Sequence, residues 1–215
     1  MAYQTLGELR SRLRARLGYS AAGAAAGVNQ EIINSFLQDA QTVLYWTHDW
    51  ARLRKYTDIT IGVNQYLVDY PTACNPERIK AISIRLNGIW TPPLKKGITP
   101  EHYTTQDNVS VPYRWEPYAQ IELWPKADQS YTGRVFYVKN LDPFTQDAHR
   151  ATIDHDLVFI LALADGKGHY RQPDAPNAKA RAENLLVSLK AKNWGQTVFN
   201  PSDYAEDPIP KPVVV

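Results

Sequence analysis

The sequence is poor in the residues that cross-link small proteins or bind metals through sulfur. It contains one cysteine, Cys74, and one methionine among 215 residues. A lone cysteine forms no internal disulfide and builds no thiolate zinc site by itself. We therefore expect an ordinary apolar core to hold the chain together, and the length and the 44% hydrophobic content are sufficient for one.

Long apolar runs and a strong charge of either sign are missing as well. The longest apolar run, Leu157–Ala164, is far shorter than the roughly 20 residues that a bilayer span needs. Residues 1–5 contain no basic segment followed by an apolar one, so we expect no signal peptide and no contact with a membrane. The formal net charge of +2 argues against a dedicated nucleic-acid-binding protein.

Aromatic side chains with a polar end are abundant, because the chain has 13 tyrosines and six tryptophans. Such rings are favoured at interfaces, where one part of the ring is buried and the other meets water. The composition therefore indicates a protein with several contact surfaces.

Helices are predicted at both ends of the sequence. Residues 5–17 carry leucines at three- and four-residue spacing behind Thr5, which is a good N-cap. A second helix is predicted over residues 30–54, with Asn29 as its cap. Its expected apolar face consists of Ile33, Phe36, Leu37, Ala40, Val43, Leu44, Trp46, Trp50 and Leu53. Two more helices are predicted over residues 157–170 and from Asp174 to about residue 194.

The middle of the sequence changes to the two-residue period of strands. Residues 56–61 and 66–70 predict one hairpin. Residues 79–86 and 89–90 flank Asn87-Gly88 and predict a second one, because this dipeptide suits a tight hairpin turn. A short helix after Thr99 and three more strands are expected over residues 113–115, 119–124 and 133–138.

The order of the elements predicts an α+β fold. We expect a helical bundle built from the N- and C-terminal helices, residues 1–55 and 153–194, with an inserted, mainly antiparallel β region over residues 56–152. Residues 195–215 predict an extended C-terminal tail, since their prolines exclude helix and central-strand structure: Pro201, Pro208, Pro210 and Pro212.

The sequence motifs that most resemble catalytic or binding sites have simpler explanations. Gly166-Lys167-Gly168 lacks the spacing of a phosphate-binding loop and lies at the end of a predicted helix. Asp154-His155-Asp156 are adjacent on a helix, where side chains point about 100° apart and do not converge on one ion. Cys74 has no catalytic neighbours in sequence and is expected to pack in the core. We predict no catalytic, cofactor-binding or metal-binding residue.

Four carboxylates among the aromatic strands leave one alternative open. Asp69, Glu116, Glu122 and Asp128 resemble the composition of a glycosidase groove, which needs a pair of carboxylates at a defined separation. The sequence places no two of them at that separation. A carbohydrate-binding or carbohydrate-cleaving protein that uses the aromatic strands therefore remains the alternative function.

The first helix carries four arginines on two of its faces. Arg10 and Arg14 share one face, and Arg12 and Arg16 share another. These side chains could attract phosphates, as in a DNA channel, or form an interface. A solvated amphipathic face explains them equally well.

Seven segments in this order resemble the head-to-tail adaptor proteins of tailed bacteriophages, the group that includes tail accessory factors and tail tubular protein A. The resemblance covers residues 29–194. Its motifs are Leu44-Tyr45-Trp46 with Trp50, Gln65–Pro71, Pro76–Ile84 with Asn87-Gly88, Tyr113–Glu116, Ile121–Asp128, Tyr131–Tyr137 and Leu157–Ala164.

The resemblance implies a structural protein without enzymatic activity. Adaptors of this kind form a ring, commonly of twelve copies, that docks under the portal protein and holds the tail or nozzle protein. DNA passes through the centre of the ring with non-specific contacts. The implied location is the head–tail junction of a virion that assembles in the host cytoplasm.

The C-terminal tail is expected to be an arm that binds the portal or a neighbouring subunit. Apolar residues recur along it at intervals, which a purely solvated linker does not need. As polyproline II its 21 residues would reach up to about 65 Å. The predicted partner-binding residues are Phe199, Tyr204, Ile209, Val213, Val214 and Val215.

Overall fold

The computed structural model describes residues 3–19, 29–103 and 108–194. The fold is α+β, as predicted, with five α-helices and mainly antiparallel sheets among these residues. The chain divides into two compact units. The helical unit comprises residues 1–52 and 141–196, and the described part of the β unit is residues 53–140. The prediction of an extended C-terminal tail concerns residues outside the described ranges.

The described part of the helical unit contains four helices: α1 (Leu6–Leu17), α2 (Gln30–Thr47), α4 (His155–His169) and α5 (Ala175–Trp194). Helix α1 begins with a complete capping box. Thr5 Oγ1 accepts from the Glu8 amide at 3.3 Å, and the Glu8 carboxylate accepts from the Thr5 amide at 2.8 Å. Asp154 caps α4 by accepting from the amides of Asp156 and Leu157. These caps satisfy backbone donors that a helix start otherwise leaves unpaired.

Helix α2 is shorter than the sequence predicted, because it ends at Thr47 instead of residue 54. His48 is extended, and the indole of Trp50 folds back so that its Nε1 donates to the Leu44 carbonyl at 2.7 Å. A 3₁₀ turn over Ala51–Leu53 then leads into the first strand. Trp50 is thus buried although it lies outside the helix. The spacing of apolar residues does not reveal that the helix has already ended.

The outer part of α2 also differs from the prediction. Val43 and Trp46, which were expected on the packed face, are 56% and 54% exposed. Asn29 precedes the helix as predicted, but its side chain caps no amide in the described part of the chain. The buried part of the predicted apolar face is a narrower stripe within the helix. It consists of Ile33, Leu37, Ala40 and Leu44, with Phe36 half-buried beside them.

Residues 141–152 belong to the helical unit and hold α1 in place. The Leu6 amide donates to the His149 carbonyl at 2.8 Å, and the Ala151 amide donates to the Gln4 carbonyl at 3.1 Å. Gln41 of α2 accepts from the buried amide of Thr152 at 2.8 Å. The chain that returns from the β unit is therefore bound to both N-terminal helices before α4 begins.

The described residues of the β unit form eight strands in two four-stranded sheets. One sheet has the order β1-β8-β3-β4 and is antiparallel throughout; the other has the order β2-β7-β6-β5, in which only β5 and β6 are parallel. The strands are β1 (Arg54–Ile61), β2 (Leu67–Val68), β3 (Cys74–Leu86), β4 (Ile89–Trp90), β5 (Lys95–Lys96), β6 (Arg114–Pro117), β7 (Ile121–Trp124) and β8 (Tyr131–Lys139); a short helix, α3, spans Pro100–Tyr103.

One of the two predicted hairpins is confirmed. Strands β3 and β4 pair through Leu86 and Ile89, and Asn87 and Gly88 have the positive φ values of 50° and 83° that the turn requires. The other predicted hairpin is wrong, since β1 pairs with β8 whereas β2 pairs with β7. The intervening turn bonds to a different segment: the Asn64 amide donates to the Ala127 carbonyl at 2.7 Å, and the chain crosses to the second sheet.

Side chains from both sheets form one buried cluster. Ile82, Ile84 and Val135 come from the first sheet and Trp115 and Leu123 from the second, and all are at most 2% exposed. This core supplies the main stabilisation of the β unit, because burial of each large apolar side chain contributes about 1.5–3 kcal/mol.

Candidate interaction surfaces

The four arginines of α1 have different surroundings. Arg10 is only 8% exposed, and its guanidinium forms two hydrogen bonds to the Asp147 carboxylate at 2.7 and 2.5 Å. This bidentate pair holds the pKa of Asp147 below its usual value. Asn34 of α2 accepts a third bond at 3.4 Å. The charge of Arg10 is therefore used inside the helical unit.

Arg12 and Arg16 lie on the other face of α1, as their spacing predicted. The Arg12 guanidinium is 3.2 Å from Asp156 Oδ1 and stacks 4.3 Å from the ring centre of Phe159. Arg16 is exposed and forms no ion pair within the described part of the chain. Arg14 is half-buried, and its charge helps to lower the pKa of Asp147. No contact in the structure tests the predicted role of these charges towards DNA or a partner.

A groove of about 560 Å³ lies among α1, α4 and α5; we call it the basic groove. Its cations are Arg12, Arg16, Lys167 and Arg181, from all three helices. Lys167 forms an ion pair with Asp174, which holds the pKa of that carboxyl below its usual value. Arg181 is exposed and, like Arg16, forms no ion pair within the described residues.

The rest of the basic groove is mostly apolar. Phe159 is 6% exposed, while Ile160, Leu163 and Leu185 are half-buried and line the open space. Two carboxylates, Asp156 and Asp174, complete its charged lining. The groove thus combines an apolar surface with more positive than negative charge, a combination that suits an amphipathic acidic segment.

The motifs that looked most like phosphate or metal sites have structural roles. Gly166 lies within α4, where a β-carbon would come within 3.2 Å of Leu17 Cδ1, so the glycine allows close packing. Asp154 is the cap of α4, and Asp156 pairs with Arg12. Within residues 3–19, 29–103 and 108–194, no group of three or more His, Cys, Asp or Glu side chains is placed to hold a metal ion.

Cys74 lies at the start of β3 and is 4% exposed. Burial raises the pKa of its thiol to about 12, because the apolar surroundings disfavour the thiolate. A thiol with this pKa is a poor nucleophile at neutral pH. The structure thus places Cys74 in the core of the β unit, as its sequence surroundings predicted.

The carboxylates of the β unit are partly brought together. Glu116 of β6 and Glu122 of β7 are directly opposite each other in register. Glu122 accepts from Tyr103 Oη at 3.1 Å. Desolvation of the phenol, together with its contacts to Tyr118 and Glu122, raises the pKa of Tyr103. Asp69 instead accepts from Gln120, and Asp128 from Tyr131 Oη at 2.6 Å. Only Glu116 and Glu122 are thus neighbours across a strand pair.

An aromatic cleft of about 250 Å³ adjoins Glu122. Trp124 lines it: its indole Nε1 donates to the His102 carbonyl at 3.0 Å, and the His102 ring packs edge-on at 4.5 Å. Tyr66 and Lys126 line the same space. Rings and polar groups of this kind can contact a sugar or a protein side chain.

The outer face of the first sheet carries a stacked arginine. Arg134 of β8 forms two bonds to Asp58 of β1, at 2.7 and 2.9 Å. Its guanidinium lies 4.4 Å from the ring centre of Tyr56 and 4.2 Å from that of Trp90. We call these four residues the arginine–aromatic face. Sequence reasoning missed it, because the face requires the pairing of β1 with β8, and β1 was assigned to a local hairpin.

Helix α2 has an exposed apolar stripe, which we call the α2 stripe. Ile32, Val43 and Trp46 are 39%, 56% and 54% exposed. At 100° per residue these three side chains lie within about 60° of one another around the helix axis. The predicted anchors of the C-terminal tail, from Phe199 to Val215, lie outside the described residues.

A model of a known protein family matches most of the chain. The family model described as SU10 adaptor protein matches residues 4–198, so the matched region includes α1 and ends just before Phe199. No curated protein matches the chain. Separately, none of the helices in the described ranges combines the length and apolarity needed to cross a membrane.

Proposed function

Since the chain belongs to the SU10 adaptor protein family, a family of phage head-to-tail adaptors, we propose that it forms a ring under the portal that joins the DNA-filled head to the tail. The match over residues 4–198 is the observation that carries this proposal. The family establishes a structural role in a phage particle. The ring, its twelve copies and the passage of DNA through its centre are the parts that we add.

Two exposed surfaces support self-association. In the arginine–aromatic face Arg134 contacts the rings of Tyr56 and Trp90, and the side chains that dominate protein interfaces are Trp, Tyr and Arg. The α2 stripe adds three exposed apolar side chains in line. We propose that neighbouring copies in the ring cover these surfaces.

We propose that the protein is not an enzyme. Three of the catalytic candidates from the sequence have surroundings that explain them: Asp154 caps a helix, Asp156 forms an ion pair with Arg12, and Cys74 is buried with a raised pKa. Proper folding and assembly then determine the biological activity of variants at these positions.

The partners that we propose are the portal protein on one side of the ring and a tail or nozzle protein on the other, at the head–tail junction. Assembly takes place in the host cytoplasm. DNA in the channel makes non-specific contacts, in agreement with the net charge of only +2. Arg10 is excluded from such contacts by its pairing with Asp147. The end of the tail, Ile209 and Val213–Val215, is proposed to contact another subunit.

The test mixes the purified full-length protein with the portal of the same phage and images the particles by electron microscopy. We expect rings of this protein on one face of the portal, with a copy number read from their symmetry. Val43→Ser with Trp46→Ser should reduce ring formation, whereas Val187→Ser, at a 65% exposed site on α5, should not. If this protein and the portal are both folded but form no complex at micromolar concentration, the proposal is overturned.

The aromatic cleft favours carbohydrate binding as a second candidate function. Trp124, Tyr66 and Glu122 offer ring faces and a hydrogen-bond acceptor to a sugar. A glycan array with the monomeric protein tests it, with Trp124→Ala as the cleft variant and Trp90→Ala as a control outside the cleft. Binding that is lost only in the cleft variant would support this function.

A further inference from the structure

We propose that the basic groove of the helical unit binds the acidic start of the chain's own C-terminal tail, residues 199–207. The inference concerns the free subunit and does not depend on the ring. It assigns Phe199 and Tyr204 to the groove and leaves Ile209 and the terminal valines for contact with another subunit.

The charge of the groove is the first observation. Arg12 and Lys167 are neutralised by Asp156 and Asp174, which leaves Arg16 and Arg181 as cations without an ion pair among the described residues. Both side chains are exposed and line the same groove from two different helices. A segment with two or three carboxylates would complement them.

The apolar lining is the second observation. Ile160, Leu163 and Leu185 are only half-buried, and they face the open space beside the cations. DNA fits this lining poorly, because its phosphates gain nothing from apolar side chains and are repelled by Asp156 and Asp174. An acidic peptide with large apolar side chains gains from both parts of the groove.

The tail has this composition. Residues 199–209 read Phe-Asn-Pro-Ser-Asp-Tyr-Ala-Glu-Asp-Pro-Ile, with three carboxylates and no lysine or arginine. Phe199, Tyr204 and Ile209 recur every five residues. The acidic Asp203 lies between the first two of them, and Glu206 and Asp207 lie between the last two. Charge and apolar content therefore both match the groove.

The tail is also long enough to reach its own groove. From Trp194, the end of α5, Leu185 lies about 14 Å and Arg181 about 20 Å back along the helix axis. An extended chain advances roughly 3.3 Å per residue, so Phe199 reaches about 17 Å from Trp194 and Asp203 about 30 Å. Two or three residues can therefore be used to reverse direction. Gly195 follows α5 directly, and a glycine there permits such a reversal.

The covalent link favours the chain's own groove over that of another copy. A segment tethered by a few residues has an effective concentration of the order of millimolar at a site that it can reach. A weak contact is then sufficient to keep the tail in the groove of a dilute subunit.

The experiment is a thiol cross-link in the full-length protein. Ala178→Cys, in the groove, is combined with Ser202→Cys, next to Asp203; the native Cys74 is buried with a raised pKa and stays unreactive. We expect a cross-link within one chain, at the monomer mass, with a yield that does not change on tenfold dilution. A product of dimer mass whose yield falls on dilution would overturn the proposal, because the tail would then bind another copy.

Charge reversal tests the groove itself. Arg16→Glu with Arg181→Glu should lower the cross-link yield at least fivefold, and adding Asp203→Lys with Glu206→Lys should restore it. The matched control, Lys179→Glu with Lys192→Glu, changes two exposed cations of α5 that do not line the groove and should leave the yield unchanged. If the groove variant keeps the cross-link yield but binds a short DNA duplex more weakly, the proposal that the groove binds the tail is overturned. DNA would then be the favoured ligand of the groove. Neither readout uses the portal, so failure here is separate from failure of the ring.

Discussion

The helical unit and the β unit are assembled from the chain in different ways. The helical unit brings together residues 1–52 and 141–196, which are far apart in sequence, whereas the described part of the β unit comes from one stretch of sequence, residues 53–140. In the β unit the first and last strands are paired, with Arg54 opposite Val138. The two ends of the inserted segment therefore leave from neighbouring strands, and this is the geometry that lets a β unit interrupt a helical one.

The two units also use different interactions to hold their parts. The β unit relies on large buried side chains from both sheets, with Trp115 at 2% exposure. In the helical unit, charged pairs attach α1 to distant segments, Arg10 to Asp147 and Arg12 to Asp156. The β unit also has a charged pair, Arg134 with Asp58, but it joins strands that the sheet already pairs. Apolar burial depends little on pH, and ion pairs depend on it strongly. The comparison therefore predicts different sensitivities to truncation and to acid.

The largest effect is expected from Trp115→Ala in the β unit. Removal of a fully buried Trp costs about 3–5 kcal/mol, a large share of the roughly 5–15 kcal/mol that stabilises a domain. Urea unfolding should show the loss, and amide exchange should speed up first in β6, which contains Trp115, and in its partner β7. Ile89→Ala, at a 74% exposed site, is the control and should change stability by less than about 0.5 kcal/mol. Equal acceleration in α4 would contradict a local effect.

A matched pair of tryptophans tests how much a buried indole stabilises the helical unit, and the expected loss is similar to that for Trp115→Ala. Trp50 is 7% exposed and Trp46 is 54% exposed, four residues apart. Trp50→Ala should cost about 3–5 kcal/mol and give insoluble protein or failed rings. Trp46→Ala should leave the unfolding free energy within about 0.5 kcal/mol and act only on assembly. Soluble, ring-forming Trp50→Ala would show that the fold-back of its indole is dispensable.

Acid should weaken the helical unit more than the β unit. Hydrogen bonds and cations lower the pKa of Glu8, Asp147 and Asp174 in the helical unit, and that of Asp58 in the β unit. A carboxyl with a lowered folded pKa stabilises the fold above its unfolded pKa of about 4, and this contribution is lost as the pH falls through the folded value. Asp165 acts in the opposite direction, since burial and Asp39 raise its pKa.

The measurement for this prediction is amide exchange of α1 and β8 between pH 5 and pH 2.5, corrected for intrinsic rates. Protection of α1 should fall earlier. Arg10→Met should remove part of the pH dependence, because the pKa of Asp147 then returns towards its usual value. If β8 loses protection first, ion pairs are not what distinguishes the two units.

Local chemistry in the sequence predicted the parts of the fold that depend on a few adjacent residues. Thr5 with Glu8 and Asn87 with Gly88 each define a cap or a turn without help from the rest of the chain. The end of α2 could not be predicted in this way, since the buried indole of Trp50 continues the apolar pattern after the helix has stopped.

Long-range pairing accounts for most of what the sequence could not show. The partner of β1 is β8, more than seventy residues later, and the arginine–aromatic face exists only through this register. The spacing of the α1 arginines correctly predicted that Arg12 and Arg16 share one face of the helix. It did not reveal that Arg10 meets Asp147, because that contact depends on the returning chain of the helical unit.

A smaller effect is expected at the cap that begins α1. Thr5→Ala removes an acceptor for the Glu8 amide and should destabilise the helical unit by about 1 kcal/mol. The control is Ser11→Ala, an exposed position in the middle of the same helix, where the substitution favours helix. Differential scanning calorimetry of the two variants measures the difference. A Thr5→Ala protein as stable as the wild type would mean that contacts with residues 147–151 alone hold the start of α1.

The smallest effect is expected from two glycines of α4 that differ only in their surroundings. A β-carbon at Gly168 would meet no atom within 4 Å, so Gly168→Ala should stabilise the protein by about 0.5 kcal/mol through the lower backbone entropy of the unfolded chain. At Gly166 the same substitution gains the same entropy but brings a β-carbon to 3.2 Å from Leu17 Cδ1 and 3.6 Å from Phe36 Cδ2. Overpacking between α1, α2 and α4 then offsets the gain. Thermal unfolding should therefore rank Gly168→Ala above the wild type and Gly166→Ala below Gly168→Ala, and the reverse order would mean that the packing of α4 against α1 is loose.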